Sequence, residues 1–154
     1  MRRRGKKKMD GIGGQEEQAL GRSRGGFGTK VHVRVNGLGL PTQFVLSPGQ
    51  EADITHAPAL LEGAPAAVVI ADKGYDKQEF VDAIEDKGGE AVIPSRKNST
   101  APREIDTDRY KDRNLVERFW AKIKQYRRIA TRYEKTARNY LAFLHLTASI
   151  ILLQ

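Results

Sequence analysis

Ala67-Val68-Val69-Ile70-Ala71-Asp72-Lys73-Gly74-Tyr75-Asp76 is the stretch on which the reading of this chain turns. Five apolar residues in unbroken succession are the mark of a strand buried on both faces. Asp72 closes the run and a glycine-containing turn comes next. Working upstream, Phe27 to Val35 alternates, with Val31, Val33 and Val35 on one side and Lys30, His32 and Arg34 on the other. That is the pattern of a half-buried strand. Asn36-Gly37 signals a turn into a second strand over Leu40 to Leu46, so the pair predicts a hairpin that Ser47-Pro48-Gly49 ends. Asp53 can cap a short helix over Ile54 to Leu61.

Downstream, Asp76 with Glu79 three residues later resembles a capping box, opening a helix that ends near Gly88-Gly89. Ala91-Val92-Ile93 is a short strand stopped by Pro94, and residues 95–105 form a polar, basic loop. Two helices come after it, at about 108–127 and 137–153. The second is apolar nearly all round and is expected to be buried. The order β-β-α-β-α-β-α-α is that of an α/β domain with a mixed sheet flanked by helices. Residues 1–26 are rich in Gly, Arg and Lys and lack periodicity, so they read as a flexible lead-in to a domain over 27–154.

Composition narrows the chemistry. The chain has 154 residues, 39% hydrophobic and 30% charged, which is globular composition for one domain with one real core. No cysteine occurs, which excludes disulfide scaffolds, Cys-ligated zinc and thiol nucleophiles. His32, His56 and His145 are too scattered for a zinc-hydrolase motif. No apolar segment succeeds the basic N-terminus as a secretory signal requires. The apolar stretch from Tyr140 to Leu153 is shorter than the roughly 20 residues that span a bilayer. A soluble, cytoplasmic protein is expected, with no membrane partner.

The net charge of +8, from 27 basic and 19 acidic residues, is unevenly spread. Residues 1–9 carry +6, residues 96–138 carry +8, and the remainder carries −6. Two basic blocks around an acidic body suggest a polyanionic partner that touches particular surfaces. The first block can also be a plain solvated tail. In the second, aromatics and helical spacing are interleaved with the cations.

Within that second block the helix from Asp108 has a distinctive face. With Tyr110 at 0° and about 100° per residue, Arg113, Glu117 and Lys124 fall within about 60° of it. Leu115, Phe119, Ile123 and Tyr126 lie on the opposite side as a core stripe. One carboxylate among cations can be a solvated face held by i,i+4 ion pairs, and Asp72 can be a turn or cap residue. The alternative is that Asp72, at the C-terminal end of a central strand, and Glu117, on a helix, converge to hold Mg²⁺ while Arg and Lys engage phosphate. A P-loop is not present, because Gly25-Gly26-Phe27-Gly28 precedes a strand. No Ser-His-Asp arrangement stands out. Trp120 can stack on a base or pack in the core.

Tyr110-x2-Arg113-x3-Glu117-x6-Lys124 matches the Y-R-E-K signature of DDE insertion-sequence transposases. Other segments match as well: residues 21–30 (Gly-Arg-Ser-Arg-Gly-Gly-Phe-Gly-Thr-Lys), 71–76, 115–120 and 127–135. Over residues 20–154 the chain resembles the transposase family named after insertion sequence five. The resemblance implies an RNase H-like catalytic core. Asp72 would be the family's second catalytic Asp and Glu117 its Glu, both metal ligands. Arg113 and Lys124 would hold double-stranded transposon-end DNA, and Tyr110 would pack or hydrogen-bond near the end nucleotide. Two Mg²⁺ ions, replaceable by Mn²⁺, would activate a water for cleavage at the transposon end. They would then activate the freed 3′-hydroxyl for attack on target DNA.

The chain departs from the family in one respect. The first catalytic Asp belongs on the first strand of the fold, upstream of residues 21–30, and only Asp10, Glu16 and Glu17 precede that segment. Asp10 sits in a Gly-rich context that is not a strand. In RNase H-like folds the first strand is central, between the second and fourth, so its absence removes a metal ligand and leaves two sheet edges unpaired. The chain is therefore expected to be the C-terminal part of a longer or frameshifted transposase, partnered by itself or by an upstream-encoded segment. The competing reading is an inactive DNA-binding fragment, degenerate or inhibitory towards the full-length enzyme. A structure-selective nuclease of the same fold is a third.

Overall fold

The computed structural model describes residues 14, 15, 17–99 and 101–153. Asp10 and Glu16 lie outside the described residues, as do Met1 to Gly13 of the expected lead-in. Three strands open the described chain: β1 (Gly21–Ser23), β2 (Gly26–Val35) and β3 (Pro41–Pro48), in the order β1-β2-β3. The expected hairpin forms, with Val31 opposite Leu46 and Val33 opposite Phe44. Asn36 builds the turn through its side chain: Oδ1 accepts from the amides of Leu38 at 3.0 Å and Leu40 at 3.1 Å. Gly39 supplies the left-handed residue there, at φ +77°. Gly21–Ser23, expected in the aperiodic lead-in, instead pairs antiparallel with Gly26–Gly28.

A 3-10 turn over Asp53–His56 leads into α1 (Ala57–Leu61). Asp53 does not cap it, since Ala52 is the N-cap residue and the Asp53 carboxylate pairs with Lys30 instead. A second, parallel sheet joins β4 (Val68–Ile70) to β5 (Glu90–Val92) through α2 (Gln78–Glu85). The expected capping box is not made. Asp76 ends the 3-10 turn Lys73–Tyr75, pairs with the Arg103 guanidinium and accepts the Arg96 amide at 2.6 Å, while α2 starts after Lys77. The reason is competition: an Arg and a backbone amide from the 95–105 loop offer that carboxylate stronger partners than a helix start does.

The expected helix over 108–127 is segmented. α3 (Thr107–Tyr110) passes through a 3-10 turn at Lys111–Arg113 into α4 (Asn114–Ile123), and α5 (Arg127–Ala130) is a separate turn beyond it. The Lys111–Asp108 ion pair, at 2.6 Å and three residues apart, suits the 3-10 spacing. The last helix, α6 (Ala137–Leu152), is capped by Thr136, whose side chain accepts the Asn139 amide at 3.3 Å.

Two apolar cores sit side by side. One packs α4, α5 and α6 on β2 and β3 through Phe44, Phe119, Ile123, Tyr140 and Leu144. The other packs α1 and α2 with the β4–β5 sheet through Leu61, Phe80, Val81, Ile84 and Ile93. Two expectations fail on burial. α6 is buried along one face only, leaving Leu146 and Leu153 exposed, the latter at 88%, because it lies on the outside of its layer and no other described element packs over its back. His145 is exposed, with its ring edge set against Phe44. The Ala67–Ala71 run is not buried on both faces either: Val68 is 42% exposed and Ala67 is exposed. One edge of β4 pairs with β5, and the other borders an open cleft.

Candidate functional site

That cleft, of about 1060 Å³, runs between β2 and β4 and is where the candidate residues gather. Asp72 stands at its edge directly after β4, with Oδ1 accepting the Gly74 amide at 2.7 Å. The turn reading of Asp72 is thus correct for one oxygen, and the other makes no hydrogen bond among the described residues. Asp53 and Lys30 line the same space. The Lys30 ammonium donates to Asp53 Oδ1 at 2.9 Å and to the Glu51 carbonyl at 2.7 Å. Tyr75 lies against both carboxylates. Burial, then the charges of Asp53 and Asp72, push its phenol up to about 12.

Below this group is a polar knot that the sequence did not advertise. His32 is 5% exposed, shares a 2.8 Å hydrogen bond between Nε2 and Ser47 Oγ, and stacks on His56 with ring centroids 5.0 Å apart. His56 in turn meets Glu51 at 2.5 Å. Burial first, and then the neighbouring His56, hold the His32 imidazole below its ordinary range, so it is neutral near pH 7. Alternation alone places Lys30, His32 and Arg34 on a water-facing side. In the fold that side is covered: Arg34 donates to the carbonyls of Leu60 at 2.7 Å and Glu62 at 3.0 Å.

The other wall of the cleft comes from the segmented helix. Arg109, Asp112, Arg113 and Trp120 line it. Arg113 is the centre of the expected stripe: its guanidinium lies 5.7 Å from the Tyr110 ring centroid, and its Nη2 pairs with Glu117 Oε1 at 2.8 Å. Lys124 is exposed at the end of α4, its ammonium 5.7 Å from the Trp120 ring centroid, so it extends the stripe through an aromatic rather than by contact with Glu117. Trp120 is half-buried between Phe119 and Lys124, closer to rim packing than to a free stacking platform. Arg109 ties the helix to β5 through Glu90 at 2.5 Å.

Asp72 and Arg113 therefore share one cleft, and Tyr110, Arg113 and Glu117 form one contact chain. Glu117 itself is 59% exposed and is engaged by Arg113. Among the described residues, no group of three or more His, Asp or Glu side chains could hold a metal ion. The donor set present does not by itself fit a divalent-metal centre. No helix among the described residues is long and apolar enough to cross a membrane.

Comparison with known proteins agrees with the resemblance to DDE transposases. The transposase DDE domain family matches residues 5–152. A protein of Brucella ovis, assigned by name as a transposase for insertion sequence element IS6501, is 36% identical over 129 residues, covering 82% of this chain and 98% of that protein. One of Burkholderia cepacia, assigned to insertion sequence element IS402, is 30% identical over 136 residues, covering 80% of this chain. The matched region spans 62% of the length of that second protein. No solved structure matches the chain. With nearly its whole length matched and two such relatives, the chain belongs to the DDE transposase domain family.

Proposed function

We propose that this chain is the larger, C-terminal part of an RNase H-like transposase catalytic domain of the insertion-sequence-five group, acting on insertion-element DNA. The observation that carries the reading is the shared cleft: Asp72 from the end of β4 and Arg113 from the Tyr110–Arg113–Glu117 chain line one space. In this reading Asp72 and Glu117 are the two catalytic, metal-binding carboxylates that the chain contributes. Tyr110, Arg113 and Lys124 hold the DNA end, Arg113 with a planar fork suited to two phosphate oxygens and Lys124 as a compact charge. The divalent ions that the family uses, Mg²⁺ or Mn²⁺, need at least one further ligand, which the described residues do not supply.

A second reading is favoured by that same shortfall: alone, the chain binds DNA without cutting it, and so competes with a complete transposase for its ends. The two separate experimentally. The purified chain is incubated with a duplex carrying the element's terminal sequence, with Mg²⁺ or Mn²⁺ and in a salt series. Salt-sensitive binding without cleavage is expected of the isolated chain. End-specific cleavage lost on Asp72→Ala or Glu117→Ala would show that the chain is catalytically complete and would sink the partial-domain reading. Absence of any DNA binding would remove both.

A further inference from the structure

We infer that the turn between α5 and α6 carries a second DNA-backbone site, separate from the cleft, with Arg128 as its phosphate fork and Glu134 as the residue that positions it. From Arg118 to Gln154 the chain has eight basic residues and a single acidic one, Glu134. That carboxylate is inside. Its side chain is 6% exposed, and neither oxygen has a hydrogen-bond partner among the described residues. A buried carboxylate in that state is costly unless cations stand beside it. Lys124, Arg127, Arg128, Lys135 and Arg138, from the end of α4 to the start of α6, are all exposed. The fold thus withdraws the region's negative charge and turns its positive charges to solvent.

Arg128 is gripped from below. Its Nε lies 3.3 Å from Glu134 Oε1, an ion pair not aligned as a hydrogen bond, and its guanidinium carbon sits 4.8 Å from the Phe143 ring centroid. The side chain is nevertheless 60% exposed. Arg132, four residues on, is different: Nε donates to the Glu134 carbonyl at 3.0 Å, and Nη1 to the Gln18 carbonyl at 2.8 Å and to Thr29 Oγ1. Its fork ties the turn to β2 and is not free for a ligand. Nη1 and Nη2 of Arg128 make no such bond among the described residues. A guanidinium held at Nε and backed by an aromatic ring keeps its Nη1–Nη2 edge in one orientation, and that edge matches two phosphate oxygens. Tyr133, 54% exposed, adds a hydroxyl of the kind that contacts DNA backbone.

The site stands apart from the cleft. Arg113 precedes α4 and lines the cleft, whereas Arg128 comes after α4 and does not. The ten residues of α4 separate them by about 15 Å, the rise of about four or five base pairs. A duplex seated in the cleft and lying along α4 reaches both arginines; a duplex that leaves the cleft another way leaves the turn for a second one. The recognised group is the phosphodiester backbone in both cases, because α5, of four residues, is too short to enter a groove and read base edges. The inference rests on the proposed function only for the choice of DNA among polyanions.

The full chain is titrated with a labelled end duplex, then with a scrambled duplex of equal length added to the saturated complex, and with polyglutamate as competitor, each across a salt series. Arg128→Ala is expected to weaken one of the two duplex-binding steps about tenfold and to lower its salt slope by about 1. Loss at the first step assigns the turn to the end duplex; loss at the second assigns it to another duplex. Arg128→Lys should keep the slope and recover only part of the affinity, because an ammonium has no Nε to be held. Glu134→Gln separates positioning from plain charge. Removing an unpartnered buried charge should leave the urea midpoint equal or higher, while the same DNA step weakens at least threefold. Indifference of both steps to Arg128→Ala, unchanged or higher affinity in Glu134→Gln, or an affinity loss there matched by a lower urea midpoint would each overturn the site. Polyglutamate competing as well as the scrambled duplex would assign the turn to an acidic protein instead. The cleft is scored separately: normal binding by Arg113→Ala, with Arg128→Ala impaired, would remove the cleft from DNA binding and leave this site standing. A chain that binds no duplex would remove both.

Discussion

His32 is a titratable side chain enclosed by Ser47, His56 and Tyr75, and its setting makes stability depend on pH. Its imidazole is held low by burial and by His56, while Asp53 and Glu51 pull the other way. Above pH 6.5 both the folded and unfolded chains carry it neutral, and it costs nothing. As pH falls below 6.5 the unfolded chain takes up the proton and the folded one resists, so stability falls through that window towards the lowered folded value. Urea midpoints measured between pH 8 and 5 should drop on the acid side, and His32→Gln should flatten that part of the profile. An unchanged slope in the variant would show that another group carries the acid sensitivity. Tyr75 gives the mirror case. Its unfolded phenol ionises near 10 and its folded one at about 12, so stability falls as pH rises between them, a loss that Tyr75→Phe should remove. Neither setting is legible in the strand pattern, where His32 falls beside Lys30 and Arg34 in a row that reads as solvated.

At the scale of elements, the hairpin was legible because Val31, Val33 and Val35 alternate cleanly and one face meets the α4–α6 core. α2 was legible in position but not in its start, because the carboxylate that seemed to cap it is held by Arg103, and no local pattern encodes a partner 27 residues away. The same reasoning applies to Asp53 and Lys30, which are 23 residues apart. The stop of α2 is tighter than its start. Gly88 takes φ +77°, and a Cβ on Gly89 would lie 2.7 Å from the Ala67 carbonyl oxygen and 3.0 Å from Ile84. Backbone atoms cannot yield there without parting β4 from β5, so Gly89→Ala should destabilise by about 1–3 kcal/mol. The cap of α6 is worth less: Thr136→Ala loses the bond to the Asn139 amide and should cost about 1 kcal/mol. Thermal or urea denaturation checks both, and Gly89→Ala proving milder than Thr136→Ala would mean that the β4–β5 crossover is more pliable than its contacts imply.

For the whole molecule, the charge of +8 matters less than its placement. The basic block over 96–138 supplies Arg109 and Arg113 to one wall of the cleft and Lys124 to the end of α4, while Asp53 and Asp72 line the cleft itself. DNA lying along the helix would meet cations that are partly neutralised in the free chain, since Arg113 is paired with Glu117 at 2.8 Å. That pairing makes a prediction about affinity that is independent of cleavage. If Arg113 contacts a phosphate, Arg113→Ala should lower affinity and reduce the slope of log affinity against log salt by about 1. Lys124→Ala should do the same. Glu117→Gln removes the competing carboxylate without changing the shape of the side chain, so it should raise affinity and leave the slope equal or steeper. Filter-binding or anisotropy titrations across a salt series read all three. A Glu117→Gln variant that binds DNA more weakly would mean that Glu117 orients Arg113 for the phosphate rather than competing with it, and the ion pair would then be part of the binding surface itself.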